Sequence, residues 1–228
     1  MKEERIQFFE RIDGDQYRDY ILSHCSKDYE KVKRSLERLM DNRFMFDSPW
    51  DMEPCSKIHQ IQPMVWNQVF EDDPEWAYML NRQEYLLQFM IGYLVEGDKG
   101  YIQKCKFFLF DWIEQVREFS PQSLMTRTLD TGIRSFAWLK LLLLLLKFDL
   151  LEEEELEKIL VSLEKQIDFM KSHYRAKYTL SNWGILQTIP ILAIYHFFSD
   201  KMDLEEAYHF ASKELKQQIE TQILEDGS

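Results

Sequence analysis

The feature that most constrains this chain is a succession of long segments, from residue 75 onward, whose apolar side chains recur at the spacing of an α-helix. Seven glycines and six prolines among 228 residues leave few sharp turns, which argues against a turn-rich all-β fold. We therefore predict an all-α fold of about eight helices, most of them about 20 residues long. The clearest segments are residues 75–97, 99–119, 129–150 and 180–198.

The short connections between these segments favour stacked antiparallel helical hairpins. The sequence shows no repeat of about 34 or about 40 residues, so a helical-repeat solenoid is less favoured. The segments that begin at Leu139 and Ile185 are apolar on most faces and should lie inside, with amphipathic helices around them. This arrangement is typical of an α/α toroid.

The N-terminal part differs from the rest. Residues 4–23 and 27–41 carry apolar side chains on one face and charges on the other, which predicts a hairpin of two surface helices within residues 1–44. Residues 42–74 hold four of the six prolines and two of the six tryptophans. We predict a long ordered loop there, because its aromatic side chains need a packed environment.

Composition limits the possible partners. A net charge of −12 argues against a general surface for nucleic acid or anionic membranes. The six leucines of residues 141–146 are too few to span a bilayer, which requires about 20 apolar residues. The three cysteines have neither zinc-site nor disulfide-framework spacing, so we predict no metal site and reduced thiols. We predict a cytoplasmic location, because the N-terminal residues have no apolar stretch of signal-peptide length. We also predict no cofactor.

Three stretches together resemble the N-terminal helical domain of the heparinase II/III-like polysaccharide lyases. They are DDPEWAYMLNRQEYL (72–86), LDTGIRSFAWL (129–139) and HYRAKYTLSNWGILQ (173–187), in that order. The resemblance covers residues 45–228 and implies an α/α toroid followed by a β-sandwich. Since nothing in the chain has the pattern of a β-sandwich, the expected fold is an incomplete toroid, from a truncated or naturally shortened product that lacks the C-terminal half of the enzyme.

These lyases cleave uronic-acid polymers by β-elimination, so the resemblance implies an anionic oligo- or polysaccharide as the partner of this chain. The group includes lyases for heparin, heparan sulfate and oligoalginate, and the sequence does not say which polymer applies. By resemblance, Asn182 matches the Asn that neutralises the sugar carboxylate. The alternative is a plain helix N-cap, a position where Asn is favoured. The apolar positions nearby are predicted to be core: Leu180, Ile185 and Leu186.

Other residues of the three stretches are candidates for binding substrate. Trp183 stands where many relatives carry His, and it either stacks on a sugar ring or packs in the core. Arg134 either binds a carboxylate or sulfate or pairs with Asp130, one helical turn earlier. Arg82 has the same two interpretations with Asn81 or Glu84 as neighbours, and Asn81 is itself a candidate for binding substrate. Further candidates lie just before the Asn and would line the cleft rim: Arg175, Lys177 and Tyr178.

The family's catalytic Tyr and the His that follows it would be expected shortly after residue 228. The isolated chain is therefore expected to be weakly active or inactive. Two other classes of function stay open. One is a non-catalytic helical scaffold that binds a protein or a glycan. The other is an α/α-toroid glycoside hydrolase, for which Asp130 is the available carboxylate.

Overall fold

The computed structural model describes residues 3–47, 55–70 and 72–223. Within them the chain forms ten α-helices, a 3₁₀-helix at Ala176–Leu180 and a two-stranded antiparallel sheet, so the all-α prediction is confirmed. The helices are α1 (Glu3–Arg11), α2 (Gly14–His24), α3 (Ser26–Met40), α4 (Pro74–Arg82), α5 (Leu86–Glu96), α6 (Lys99–Gln115), α7 (Thr128–Lys147), α8 (Glu153–Ser172), α9 (Asn182–Phe198) and α10 (Glu205–Gln222), and the strands are β1 (Arg43–Phe46) and β2 (Cys55–Gln60).

The larger part of the fold is a set of helical hairpins. Consecutive helices pack together as α5 with α6, α7 with α8, and α9 with α10. The first members form an inner layer, because α7 contacts both α5 and α9, and in the outer layer α8 contacts α10. The architecture is the predicted incomplete α/α toroid of antiparallel hairpins. On the N-terminal side, α2 and α3 pack against α5.

Helix α7 is the centre of this arrangement. Its leucine-rich half is buried, and α7 packs against α4, α5, α8 and α9. The prediction that this segment lies inside is confirmed. The same prediction for α9 holds for one face only, because Leu186 and Ile189 on the other face are 37% and 39% exposed.

Several helix ends follow from local chemistry. The Asp73 side chain accepts a hydrogen bond from the backbone N–H of Glu75, and Pro74 occupies the first turn of α4. Gly97 ends α5 in the left-handed conformation that glycine adopts without strain, and Asp98 then caps α6 through the N–H of Gly100. These starts and stops agree with the sequence prediction.

Three boundaries differ from the prediction. The segment 75–97 forms two helices, because Gln83 adopts a left-handed conformation with φ of 56° between α4 and α5. The segment 4–23 is also divided, since Asp13 caps the start of α2 with its carboxylate. The region 42–74 contains the β1–β2 ladder, with Phe44 opposite His59 and an irregularity between Phe44 and Phe46.

The aromatic side chains of region 42–74 do find a packed environment. Phe44 and Trp66 are fully buried, and the ring of Phe44 packs edge-to-face on Trp76 of α4. The other tryptophan of the region, Trp50, lies outside the described residues. In the part of the chain that the structure describes, no helix has the combined length and hydrophobicity needed to cross a membrane.

Candidate functional site

The stretch LSNWGILQ contains the first two turns of α9. Ser181 has the extended backbone of an N-cap residue, and Asn182 is the first helical residue, so the predicted helix N-terminus is confirmed. The Asn182 side chain is exposed and makes no hydrogen bond with any described residue. Its amide is therefore free to bind a ligand, and the plain N-cap explanation does not describe it.

Gly184 has a packing role in this stretch. A Cβ atom at this position would lie 2.4 Å from the carbonyl oxygen of Tyr178 and 2.7 Å from both Gln218 Nε2 and Tyr174 Oη. Glycine thus lets α9 begin directly against the 3₁₀-helix and α10. The prediction that Leu180 is core was wrong, because its side chain is 68% exposed at the end of the 3₁₀-helix. The same prediction was wrong for Leu186, whose side chain is 37% exposed.

Asn182 and Trp183 line a groove of about 950 Å³. Its walls come from α3, β1, α4, α5, α7 and α9. Among the described residues, five basic side chains line it: Lys31, Arg34, Arg38, Arg43 and Arg82. Two acidic side chains, Asp47 and Glu84, also line it. A locally positive groove therefore exists on a chain whose net charge is −12.

Four of these five cations come from residues 31–43, which sequence reasoning did not single out. Lys31, Arg34 and Arg38 are spaced at i, i+3 and i+7 on α3 and therefore lie on one helical face. The opposite face anchors α3 in the core through the buried side chains of Tyr29 and Leu36. The spacing was a detectable signal, but the sequence does not say that this face meets α9 across a groove.

Arg82, another predicted site residue, lines the groove and takes part in a network of ion pairs. Its Nε and Nη2 atoms donate hydrogen bonds of 2.8 Å to Asp130 and Glu75, respectively. Asp130 also accepts from Arg127, whose guanidinium lies 3.5 Å from the ring centre of Tyr78. Asp130 is fully buried between two arginines, so it lacks the accessibility that a hydrolase carboxylate requires.

Trp183 is half-buried at the groove. Its ring centre lies 5.6 Å from that of Tyr178 and 5.5 Å from the Arg127 guanidinium. Tyr178 itself is buried behind Trp183 and does not line the groove. Arg175 and Lys177, predicted at the cleft rim, are exposed but are not among the groove-lining residues.

Arg134 and Asn81 lie in the interior, away from the groove. Arg134 donates to Gln166 Oε1 at 3.0 Å and to the carbonyl oxygens of Asn81 and Met125 at 2.9 Å each, and it does not pair with Asp130. The Asn81 amide donates to two backbone carbonyls and accepts from Trp112 Nε1 at 2.8 Å. Both side chains are fully buried and bonded to protein atoms, so neither reaches a ligand in this structure.

Burial lowers the pKa of Arg134 to about 9, against the opposing influence of Asp130. The guanidinium is therefore still a cation at neutral pH, and it lies 4.1 Å from the ring centre of Trp112. In the described residues, no group of three or more His, Cys, Asp and Glu side chains is placed to hold a metal ion.

The family model for the heparinase II/III N-terminus matches residues 17–228. The chain belongs to this family. A solved structure described as a heparinase III gene product with methylated lysines is similar to this heparinase II/III N-terminal chain, with a TM-score of 0.72 at 15% identity. The alignment covers 87% of this chain and 32% of that one, so the chain spans about a third of the solved protein's length. A comparison with curated proteins gave no match.

Proposed function

We propose that this chain is the carboxylate-binding part of a polysaccharide lyase that cleaves uronic-acid-containing glycans by β-elimination. The observation that supports the proposal is the free amide of Asn182 in a groove lined by basic side chains. Family membership supports the same class of activity. The proposed substrate is an anionic oligo- or polysaccharide, either heparan-sulfate-like or alginate-like.

The chemistry of elimination explains why an amide suits this position. The proton beside a charged carboxylate is very weakly acidic, so the enzyme must stabilise the enolate-like state that forms when the proton leaves. A neutral amide donates a hydrogen bond to the carboxylate at every pH at which the protein is folded. At the first residue of α9, the free backbone N–H groups and the helix dipole add further stabilisation for an anion.

Two neighbours complete the proposed subsite. Trp183 presents part of its indole to the groove and offers an apolar surface on which a pyranose ring can stack. Arg82 supplies positive charge, but Glu75 and Asp130 already accept two of its hydrogen bonds. In the proposal Arg82 therefore attracts the substrate by its field more than by a direct bidentate contact.

The groove as described contains no histidine, and Tyr85 is the one tyrosine that lines it. Burial raises the pKa of the Tyr85 hydroxyl well above its ordinary value, so this group stays protonated and is a poor base. In the proposal the base and the acid that move the protons come from outside this chain, and the chain alone binds substrate without efficient turnover.

The proposal is tested by titrating this chain with uronic-acid tetrasaccharides prepared from heparosan, hyaluronan and alginate, with cellotetraose as the neutral sugar. We expect at least one uronic-acid tetrasaccharide to bind, and Asn182→Ala to weaken that binding about tenfold, the value of one charge-assisted hydrogen bond. Asn67→Ala is the matched control, because Asn67 is exposed and does not line the groove.

The assignment would be contradicted if the wild-type chain bound cellotetraose as tightly as it binds the uronic-acid tetrasaccharide. It would also be contradicted if the Asn182→Ala variant bound the uronic-acid tetrasaccharide as tightly as the wild-type chain does. Elimination itself is tested in the longest gene product that contains this chain. That protein should release products with the ultraviolet absorbance of an unsaturated uronate, and Asn182→Ala should abolish their release.

A further inference from the structure

The α3 side of the groove carries cations that the protein itself leaves unpaired. Arg34 and Arg38 line the groove, and neither side chain makes a hydrogen bond or an ion pair with any described residue. By contrast, Lys31 pairs with Asp28 at 2.8 Å, and Arg43 Nη2 pairs with Asp41 at 3.0 Å. Two adjacent like charges without acidic partners repel each other, so a bound anion would stabilise this arrangement.

Side chains with unpaired polar atoms line the same groove. Three groove-lining side chains hold a buried polar atom without a hydrogen-bond partner among the described residues: Arg43 Nε, Tyr85 Oη and Gln88 Oε1. Such atoms are uncommon in folded proteins, since each costs the desolvation of a polar group. Tyr85 stays protonated through its raised pKa, so its hydroxyl is a donor for an anionic oxygen.

We propose that Arg34, Arg38 and Arg43 form a second anion-binding subsite, which takes a sulfate or carboxylate group on another sugar of the polymer segment that is held at the start of α9. This inference rests on the proposed function, because it uses the same groove and the same polymer. It specifies the substrate further: charges must occur on more than one sugar of the bound segment.

The positions of Arg34 and Arg38 on α3 suit the recognition of such a polymer. Arg34 and Arg38 are four residues apart on α3, which places their Cα atoms about 6 Å apart along the helix axis. The helix is held by core side chains on its other face, so the two guanidinium groups start from a fixed base. Guanidinium groups bind sulfate and carboxylate oxygens through two parallel hydrogen bonds, which favours arginine over lysine here.

The test compares two tetrasaccharides that share one backbone: unsulfated heparosan tetrasaccharide and its N-sulfated counterpart. Calorimetric titration measures their affinity for the wild-type chain, for Arg34→Gln/Arg38→Gln and for Lys27→Gln/Arg117→Gln. The last variant removes the same charge from exposed positions outside the groove, one of them on α3 itself. Circular dichroism confirms that each variant is folded.

We expect the Arg34→Gln/Arg38→Gln variant to lose about tenfold or more in affinity and the control variant to stay within about twofold of wild type. Equal losses for both sugars identify a carboxylate as the bound group, and a larger loss for the N-sulfated sugar identifies a sulfate. A groove variant that matches the control for both sugars overturns the second subsite.

Asn182→Ala, measured in parallel, separates this inference from the proposed function. If that variant weakens binding and the arginine variant does not, the carboxylate assignment stands and the second subsite falls. If the arginine variant weakens binding and Asn182→Ala does not, the groove binds anions through α3 and the proposed role of Asn182 is wrong.

Discussion

Arg134 shows why a cation in a recognisable motif is not by itself a ligand contact. Its guanidinium is fully buried, and its donors are used by Gln166, Thr131 and two backbone carbonyls. These neutral acceptors, together with the face of Trp112, take the place of water around the charge. The residue joins α7 to α8 and to the end of α4, so its role is to fix helices whose other faces carry the groove.

The corresponding prediction concerns Arg134→Met, which keeps much of the aliphatic length and removes the donors. We expect the free energy of unfolding to fall by about 3 kcal/mol, because at least two buried acceptors lose their partner. Chemical denaturation measures this change, with Arg117→Met at an exposed position as the control. A variant with wild-type stability that has lost sugar binding would show instead that Arg134 contacts the ligand.

At the residue scale, the sequence could predict that LSNWGILQ begins a helix, because its Asn and Gly disfavour a helix interior. It could not predict that Asn182 lies one residue past the cap with its amide free. Nor could it predict that Leu180 is exposed, since a leucine beside a helix start is usually packed. Both outcomes depend on the position of the 3₁₀-helix, which packs against α9 and α10 and is not encoded in the local pattern.

The pairing of α7 and α9 is the contact that places the start of α9 in the groove wall. At Gly132 the two helices approach so closely that a Cβ atom would lie 2.1 Å from the carbonyl oxygen of Leu186. The same approach brings Leu129 and Ile133 of α7 to the groove beside Asn182. A side chain at this point would have to push against backbone atoms of α9, which do not move independently of the helix.

We therefore expect Gly132→Ala to destabilise the chain by about 2 kcal/mol, although alanine favours helices intrinsically. The matched control is Gly100→Ala in α6, where the three atoms nearest to a new Cβ all belong to the Asp98 side chain, the closest being Oδ1 at 3.0 Å, and none is a backbone atom. Thermal unfolding compares the two variants. A Gly132→Ala variant that is as stable as Gly100→Ala would contradict the close packing of α7 on α9.

At the scale of single elements, the sequence predicted which segments are helices better than it predicted where those helices begin and end. Long apolar segments such as α7 were predicted correctly, because burial on all faces gives a strong signal. The break at Gln83 had no Gly or Pro to mark it. Gln83 is held in its left-handed conformation within the core, where its Oε1 accepts a hydrogen bond of 2.8 Å from Trp138 Nε1. The β1–β2 ladder was missed because β1 has only four residues.

At the scale of the whole molecule, the charges are separated. The net charge is −12, yet the described residues that line the groove carry more cations than carboxylates. Composition alone counts against an anionic partner, and folding changes that conclusion by bringing α3 and β1 opposite α9. The spatial assembly of charges from residues far apart in the chain is what the sequence could not supply for this site.

This separation predicts an unusual salt dependence for a long uronic-acid polymer such as heparosan. The Debye length is about 30 Å at 0.01 M salt, about 10 Å at 0.1 M and about 3 Å at 1 M. At the lowest salt the polymer feels repulsion from the entire acidic surface, and moderate salt screens that repulsion before it screens the short contacts in the groove. We therefore expect the affinity to be highest near 0.1 M salt and to fall at both extremes.

Titration of heparosan across this range of salt concentrations checks the prediction, with cellotetraose as the neutral sugar, whose weaker interaction with the chain should not change with salt. The Arg34→Gln/Arg38→Gln variant sharpens the measurement, because it removes groove charge and leaves the acidic surface intact. Its affinity should be lower than that of wild type, and it should fall less between 0.1 M and 1 M salt. The prediction is wrong if the affinity of the wild-type chain for heparosan declines steadily from the lowest salt concentration upward. That result would mean that attraction by the groove outweighs repulsion by the net charge.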